Sequence, residues 1–156
     1  MTDGAHKTLL LIYHSQSGNT ERLAAAAAAG VARESGVELR VRLALEANFA
    51  DLQAADALLL GTPENLGYMS GALKDFFDRT YYCAQQSPVY LPYALFVSAG
   101  NDGRGAVREV DRVLLGYRMK KVAEPLIVRG EIDRDAERSA ETLGETLAAG
   151  LALGLF

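Results

Sequence analysis

The chain has 156 residues, of which 49% are hydrophobic and 23% charged, and its formal net charge is −4. This length and balance predict one soluble domain, residues 1–156, that buries its core without a metal or disulfide scaffold. The acidic balance argues against a surface for nucleic acid or anionic membrane, and no apolar stretch approaches the ~20 residues that a membrane helix needs.

The cysteine and histidine content points to a reducing compartment and to no metal site. The single cysteine, Cys83, cannot form an internal disulfide, and its position after two tyrosines predicts packing within a helix. The first seven residues, Met1–Lys7, do not resemble a signal sequence. We therefore expect a cytoplasmic protein. Two histidines and one cysteine without ligand spacing indicate no bound metal.

Strand and helix patterns alternate from the start of the chain. The apolar run Leu9–Tyr13 predicts a strand buried on both faces, and the alanine-rich segment Thr20–Glu34 predicts a helix. Val37–Leu43 alternates apolar and charged residues, which is typical of an edge strand with one solvated face. Glu46–Ala54 has too few apolar residues for a full helix and is expected to be a loop with a short helical turn.

The second half continues the alternation and completes an α/β domain. The predicted elements are a buried strand at Asp56–Gly61, a long loop up to Gly71, a helix from Ala72, a strand at Tyr93–Ser98, a helix from Ala106 to about Gly116, an edge strand at Lys121–Val128 containing Pro125, and a helix from Arg134 to about Ala152. We predict a three-layer α/β/α fold with a five-stranded parallel sheet in the order 2-1-3-4-5. Ligands of such sheets lie beyond the carboxyl ends of the strands, here strands one and three.

The turn after the first strand has the features of a phosphate site. Ser15, Ser17 and Thr20 offer hydroxyl groups, Gly18 allows close approach to the backbone, and the helix beginning near Asn19 has free N–H groups. These donors and the helix dipole stabilise a dianion without Lys or Arg. The turn has neither a Walker nor a dinucleotide glycine pattern. The alternative is an ordinary capped helix start.

Two segments carry a family resemblance. Residues 15–20, Ser-Gln-Ser-Gly-Asn-Thr, resemble the flavin mononucleotide (FMN) phosphate loop of the flavodoxin family, Ser/Thr-x-Thr/Ser-Gly-x-Thr. Residues 61–79 are similar to the Gly-Thr-Pro, Gly-x-Met and Lys-x-Phe-x-Asp-Arg pattern of flavodoxin-like quinone and flavin reductases. The resemblance implies a flavodoxin-like fold and one FMN that carries the chemistry, so that no catalytic residue is expected. The implied cofactor-binding residues are Ser15, Gln16, Ser17, Gly18, Asn19, Thr20, Thr62, Pro63, Glu64, Asn65, Leu66, Gly67, Tyr68, Ala99, Gly100, Asn101, Asp102, Gly103 and Arg104.

The resemblance also implies how the second segment would hold the flavin. The backbone of residues 62–68 would contact one edge of the isoalloxazine, with Tyr68 or Leu66 against a ring face. Gly67 would supply a peptide that reorients when the flavin N5 gains a proton. For Tyr68, a surface-loop aromatic with no ligand is the alternative.

The third loop and His14 leave alternatives open. Electron-carrier flavodoxins tend to have acidic residues and an aromatic ring in this loop, whereas residues 99–105 contain no aromatic residue and the chain has no tryptophan. Arg104 would stabilise a reduced anionic flavin or bind a nicotinamide phosphate, unless it is simply solvated. His14 either contacts the ligand or ends the first strand with a hydrogen-bonded ring.

These features predict an NAD(P)H-dependent oxidoreductase that reduces quinones or flavins. One alternative is an electron carrier between a reductase and an acceptor, which would have a strongly acidic rim. A second is a non-redox binding or regulatory module. The expected partners are a small-molecule electron donor or acceptor, or a redox protein, and not nucleic acid or membrane. The reductases resembled are often dimers or tetramers, so a homo-oligomer remains open.

Overall fold

The computed structural model describes residues 6–156, so that most of the segment compared with a signal sequence, residues 1–5, lies outside the described residues. Strands and helices alternate through this range. The strands are β1 (Lys7–Tyr13), β2 (Val37–Leu43), β3 (Ala57–Asn65), β4 (Tyr68–Met69), β5 (Pro92–Ala99), β6 (Lys120–Lys121) and β7 (Leu126–Arg129). The helices are α1 (Asn19–Val31), α2 (Phe49–Gln53), α3 (Gly71–Gln86), α4 (Arg104–Gly116) and α5 (Arg134–Ala152).

The sheet has the predicted order. Its strands run β2-β1-β3-β5-β6, with β7 also paired to β5, and every pair in this path is parallel. Parallel pairing brings the carboxyl ends of β1, β3 and β5 to one edge of the sheet. The first turn (residues 14–20), the hairpin (residues 61–70) and the third loop (residues 99–105) therefore begin side by side.

Strand residues point alternately into two cores, one on each face of the sheet. The residues facing α2, α3 and α4 are Leu10, Ile12, Leu58, Leu60, Leu95 and Val97. The residues facing α1 and α5 are Leu9, Leu11, Ala57, Leu59, Ala94 and Phe96. The central strands β1, β3 and β5 are buried on both faces, as their continuous apolar runs predict.

The prediction of an unstructured long loop after Gly61 is wrong. Strand β3 continues to Asn65, and the chain then turns back so that Tyr68 and Met69 pair antiparallel with Asn65 and Glu64. The turn consists of Leu66 and Gly67, whose φ angles are 52° and 73°. Two successive positive φ angles make a type I′ hairpin turn. Leucine rarely adopts this conformation, so Leu66 is a poor signal for such a turn.

The predicted single fifth strand is also wrong, because two short strands take its place. Lys120–Lys121 and Leu126–Arg129 each pair with β5, and residues 122–125 between them are not in a strand. Pro125 lies in this break, since it has no N–H to donate to the ladder. The edge position predicted for this segment is confirmed.

The remaining differences concern element ends and Cys83. Helices α1, α3 and α4 begin one or two residues earlier than predicted, and α1 ends at Val31 rather than Glu34. Cys83 is exposed on α3, so its predicted packing role is wrong.

No helix within residues 6–156 combines the length and apolarity needed to cross a bilayer. The same residues contain no group of three or more His, Cys, Asp or Glu arranged to hold a metal ion.

Candidate functional site

The first turn holds its shape through the hydroxyl of Ser15. The Oγ atom of Ser15 accepts hydrogen bonds from the backbone N–H of Gly18 at 3.2 Å and of Glu21 at 3.1 Å. Gly18 has a φ of 101°, a conformation that glycine adopts without the penalty paid by other residues. Ser15 thus helps to cap α1, as the alternative interpretation expected, while its own proton stays available to a ligand.

The turn also presents backbone donors that the chain does not use. Arg22 N–H donates to Gly18 O in the first helical bond, and Ser15 accepts from two further amides. The N–H groups of residues 16, 17, 19 and 20 have no acceptor among residues 6–156. Unpaired amides at the positive end of a helix form an anion site, so the turn suits a phosphate without a nearby cation.

Thr20 connects the first turn to the end of β5. It is 1% exposed, and its Oγ1 lies 2.7 Å from Oγ of Ser98, which is also buried. If Ser98 donates in this pair, the Thr20 hydroxyl keeps its proton for a phosphate oxygen. From the sequence, Ser98 is predicted only as the end of a strand, although the parallel order places it at the same edge of the sheet as Thr20.

The hairpin is braced internally and against the first turn. Thr62 Oγ1 donates to Pro63 O at 2.9 Å and accepts from Ser70 N–H at 2.9 Å, so this buried hydroxyl is fully used within the hairpin. Asn65 Nδ2 donates to Gln16 Oε1 at 3.4 Å, a contact that joins the hairpin to the first turn. The backbone around Leu66 and Gly67 remains the exposed part of the hairpin.

Glu64 joins the hairpin to α4. Its Oε1 accepts from Gly103 N–H at 3.2 Å, and its Oε2 accepts from Gly105 N–H at 3.0 Å and Ala106 N–H at 3.3 Å. The carboxylate therefore occupies the positive end of α4 and satisfies three amides that would otherwise lack partners. Close by, a Cβ at Gly105 would overlap the carbonyl oxygen of Gly67, so the hairpin tip rests directly on α4.

The third loop is mainly exposed. Ala99 is buried as the last residue of β5, and Gly103 is buried at the start of α4, whereas residues 100–102 and Arg104 are exposed. Asp102 Oδ1 accepts from Arg104 N–H at 3.0 Å. The Arg104 guanidinium has no ion-pair partner in the described part of the chain. Arg104 is also the one Lys or Arg residue in the first turn, the hairpin and the third loop.

Tyr68 and Leu66, the two predicted ring contacts, point to different surroundings. Tyr68 is half-buried and lines a groove of about 450 Å³ between α3 and α4, together with Lys74, Phe77 and Tyr117. Leu66 is fully exposed at the hairpin tip. The ring-face role of either residue stays a prediction, and Leu66 is the more accessible of the two side chains.

A second cleft, of about 330 Å³, lies between the start of the first turn and the end of β2. It is lined by Tyr13, His14, Ser15, Glu21, Leu43, Ala44, Leu45 and Glu46. The Nδ1 atom of His14 is buried and has no hydrogen-bond partner among residues 6–156, so the expectation of a hydrogen-bonded ring is wrong. Burial, and secondarily the charge of Glu21, raises the pKa of Tyr13 above its ordinary value of 10.0, so its hydroxyl stays neutral at physiological pH.

The structure thus joins the first turn, the hairpin and the chain around the third loop through hydrogen bonds that involve their side chains. Thr20 reaches Ser98, Asn65 reaches Gln16, and Glu64 reaches the first turn of α4. The donors that remain free are the amides of the first turn and the exposed hairpin tip. The amides of the first turn suit a phosphate, and the backbone of the hairpin tip suits the polar edge of a flat ring system.

Comparison with known proteins identifies the family. The model of the family described as NADPH-dependent FMN reductase matches residues 44–130, more than half of the chain. A flavodoxin of Aquifex aeolicus is 39% identical over 70 residues, which cover 45% of this chain and only 38% of that protein. An NAD(P)H dehydrogenase (quinone) of Paracoccus denitrificans is 29% identical over 151 residues, covering 81% of this chain and 72% of that protein.

Solved structures agree on the fold. A flavodoxin from the domain Archaea superposes with a TM-score of 0.79 at 20% identity, covering 92% of this chain and 98% of the other. Oxidised flavodoxin 1 from Bacillus cereus gives a TM-score of 0.77 at 22% identity, with coverage of 96% and 99%. The chain therefore has a flavodoxin-like fold and belongs to the NADPH-dependent FMN reductase family.

Proposed function

We propose that the chain binds one FMN non-covalently where the three loops meet, and passes electrons from NAD(P)H to quinones or free flavins. The observation that carries the proposal is the row of unpaired amides in the first turn, beside a hairpin and a third loop that are fixed to it. The family match supports a flavin, and the relatives named quinone dehydrogenases support the acceptor class.

The first turn and the hairpin have distinct roles in this proposal. The amides of residues 16, 17, 19 and 20 and the hydroxyls of Ser15, Ser17 and Thr20 hold the phosphate. The backbone of the hairpin tip orients the polar edge of the ring, and Leu66 shields one face from water. FMN, when bound, supplies the electron and hydride chemistry, and the chain supplies orientation and electrostatics.

The decisive experiment is the visible spectrum of the purified protein, followed by anaerobic addition of NADH and NADPH. The proposal requires a yellow protein, or one that binds added FMN, whose colour is bleached by a reduced nicotinamide. Calorimetry should show weaker binding of riboflavin, which lacks the phosphate. Equal affinity for both flavins would remove the first turn from the site, and failure to bind either would favour the non-redox alternative.

The electron-carrier alternative differs in the surface around the site. Such a carrier is expected to have a strongly acidic rim, whereas the exposed side chains at the start of α4 and along it include Arg104, Arg108 and Arg112. Bleaching by NADPH without a partner protein would support the reductase. A flavin that is reduced only through a partner reductase would support the carrier.

Thr20→Val should weaken FMN binding by ~1.5 to 3 kcal/mol, because the valine cannot donate a hydrogen bond to the phosphate. It also leaves the buried Ser98 hydroxyl without its partner, so some loss of folding stability is expected. Thr80→Val is the matched control, since Thr80 on α3 is equally buried but its hydroxyl bonds Phe76 O and the Tyr117 hydroxyl at the end of α4. Calorimetry should show normal FMN affinity in Thr80→Val, and normal affinity in Thr20→Val as well would place the phosphate elsewhere.

Arg104→Ala distinguishes two roles for this arginine. If Arg104 lies near the ring, its loss should lower the potential of the final one-electron reduction, where ~59 mV corresponds to about 1.4 kcal/mol. If it binds a nicotinamide phosphate, the potential stays constant while the NADPH-dependent rate falls and the NADH-dependent rate is unchanged. Potentiometry and both rates, with Arg134→Ala on α5 as control, decide between these roles, and no change in any of them would make Arg104 a solvated residue.

A further inference from the structure

Helix α4 carries a row of arginines on its exposed side. Arg104, Arg108 and Arg112 are spaced four residues apart, and all three are exposed. A spacing of four residues keeps side chains on one helix face, and a rise of 1.5 Å per residue places the first and last about 12 Å apart. We name these three residues the basic face of α4.

The basic face lies within a segment whose charge opposes that of the whole chain. Between Arg104 and Lys121 there are six Lys or Arg residues and two acidic residues, a net charge of +4, while the whole chain has −4. Both acids are already engaged. Glu109 pairs with Arg108 at 3.1 Å, and Asp111 pairs with Lys121 at 2.7 Å and accepts from Tyr93 OH at 2.7 Å.

Several cations of this segment therefore remain without a partner. Arg104, Arg112, Arg118 and Lys120 form no ion pair with any residue in the described range. Across the groove between α3 and α4, Lys74 pairs with Asp78 at 2.6 Å, so this acid does not neutralise Arg112. The unpaired Arg104 and Arg112 therefore make the exposed side of α4 positive, beginning next to the exposed Asp102 of the third loop.

Exposed apolar side chains mark both ends of the basic face. Leu115 is 75% exposed on the last turn of α4, and Leu66 is fully exposed at the hairpin tip, where the neighbouring Gly67 carbonyl lies against Gly105. Arginine and large apolar residues are enriched at protein interfaces, where a few apolar anchors are surrounded by charged residues. A single nicotinamide phosphate needs one or two converging cations, whereas these charges extend along the helix.

We propose that the basic face of α4 docks an acidic electron-transfer protein next to the site proposed for FMN. The inference rests on the proposed function and adds a class of protein partner to it. Opposite charges on the two proteins would accelerate encounter and fix orientation, and salt would weaken both effects. Because the face starts at the third loop, a partner seated on it would reach the hairpin tip.

The test measures binding of a plant-type [2Fe–2S] ferredoxin, used as an acidic probe, to the FMN-saturated full-length chain. Biolayer interferometry at low and high salt is run on the unchanged chain, on Arg108→Gln/Arg112→Gln and on Arg108→Glu/Arg112→Glu. Arg134→Glu/Arg138→Glu is the matched control, because both residues are exposed on α5 on the opposite face of the sheet. Cytochrome c, with its basic surface, serves as the second probe.

We expect the glutamine pair to weaken ferredoxin binding roughly fivefold to tenfold at low salt, and the glutamate pair to weaken it further. The control pair should bind nearly as well as the unchanged chain, and cytochrome c should bind less tightly than ferredoxin. Equal effects of the α4 and α5 pairs, or tighter binding of cytochrome c, would overturn the proposal. A loss of NADPH affinity with unchanged ferredoxin binding would overturn it in favour of a nucleotide site.

The FMN affinity of every variant is measured separately. Arg108 and Arg112 lie outside the residues proposed to hold the cofactor, so their variants should bind FMN normally. A chain that binds no FMN would refute the proposed function while its ferredoxin binding could still be measured. A chain that binds FMN but no ferredoxin at low salt would refute only the docking proposal.

Discussion

Gly18→Asp should weaken FMN binding by about 3 kcal/mol or more, which is over a hundredfold in affinity. The new carboxylate would lie beside the unpaired amides of the first turn, where the phosphate is proposed to bind. Two unit charges ~5 Å apart repel by roughly 3 kcal/mol at an effective dielectric constant of about 20, and the phosphate is a dianion. The carboxylate would also compete for the same amides.

The strain of placing any side chain at the Gly18 conformation must be separated from the effect of the added charge. At a φ of 101° any side chain is strained, although a Cβ on Gly18 would meet nothing within 4 Å. Gly18→Ala should therefore cost ~1 to 2 kcal/mol of folding stability, with a smaller effect on binding. Gly154 is the matched control, because its φ is 68°, its Cβ position is also open, and it lies at the end of α5.

Calorimetry with FMN and thermal unfolding are then compared for the four variants Gly18→Ala, Gly18→Asp, Gly154→Ala and Gly154→Asp. The two alanine variants should lose similar stability, and among the aspartate variants only Gly18→Asp should lose FMN binding. If Gly18→Asp binds FMN normally and unfolds at the usual temperature, the phosphate does not bind in the first turn.

The first turn was predictable because its signals are local. A buried strand ending at Tyr13, a glycine at position 18 and an alanine-rich helix are contiguous in the sequence, and each has a direct physical meaning. The sheet order followed from the same local alternation, since parallel strands need crossover helices. The strand, the turn and the helix start could therefore be located without coordinates, and phosphate binding there stays a prediction.

The hairpin was not predictable, because its causes are not local. Thr62 and Pro63 resemble loop residues, and what extends β3 beyond Gly61 is pairing with Ser98 on β5 and with Met69 on β4. The start of α4 also depends on a residue that is distant in the sequence. The N-cap residue Gly103 has no side chain that could cap the helix, and its N–H group donates to the carboxylate of Glu64, 39 residues earlier.

This long-range contact gives Glu64 a role that its sequence context does not suggest. Sequence reasoning placed Glu64 at the cofactor through its backbone, whereas its side chain fixes the position of the hairpin on α4. Because the Gly67 carbonyl rests against Gly105, any reorientation of the Gly67 peptide also changes the contact with α4. Glu64 thus fixes the hairpin, which is proposed to contact the ring, to the start of α4.

Glu64→Gln should destabilise the fold by ~1.5 to 3 kcal/mol and weaken FMN binding roughly tenfold. The three amides around this side chain all donate, and a carboxylate accepts at both oxygens, whereas glutamine has an NH₂ group that must face one of these donors. Asp133→Asn is the matched control, since Asp133 caps α5 through Ala136 N–H at 2.8 Å without joining any of the three loops.

Hydrogen exchange separates a loss of hairpin order from a general loss of stability. In Glu64→Gln, the amides of residues 68–70, which pair with β3 or donate to Thr62, should exchange faster than in the unchanged chain under conditions where the core strands stay protected. In Asp133→Asn, the unfolding temperature should fall while exchange at residues 68–70 and FMN affinity stay normal. Glu64→Asp should give an intermediate result, because it keeps the charge on a side chain one methylene shorter. If Glu64→Gln loses stability as Asp133→Asn does, with normal exchange at residues 68–70 and normal FMN affinity, then Glu64 only caps α4, and the hairpin holds its position through Thr62 and Asn65 alone.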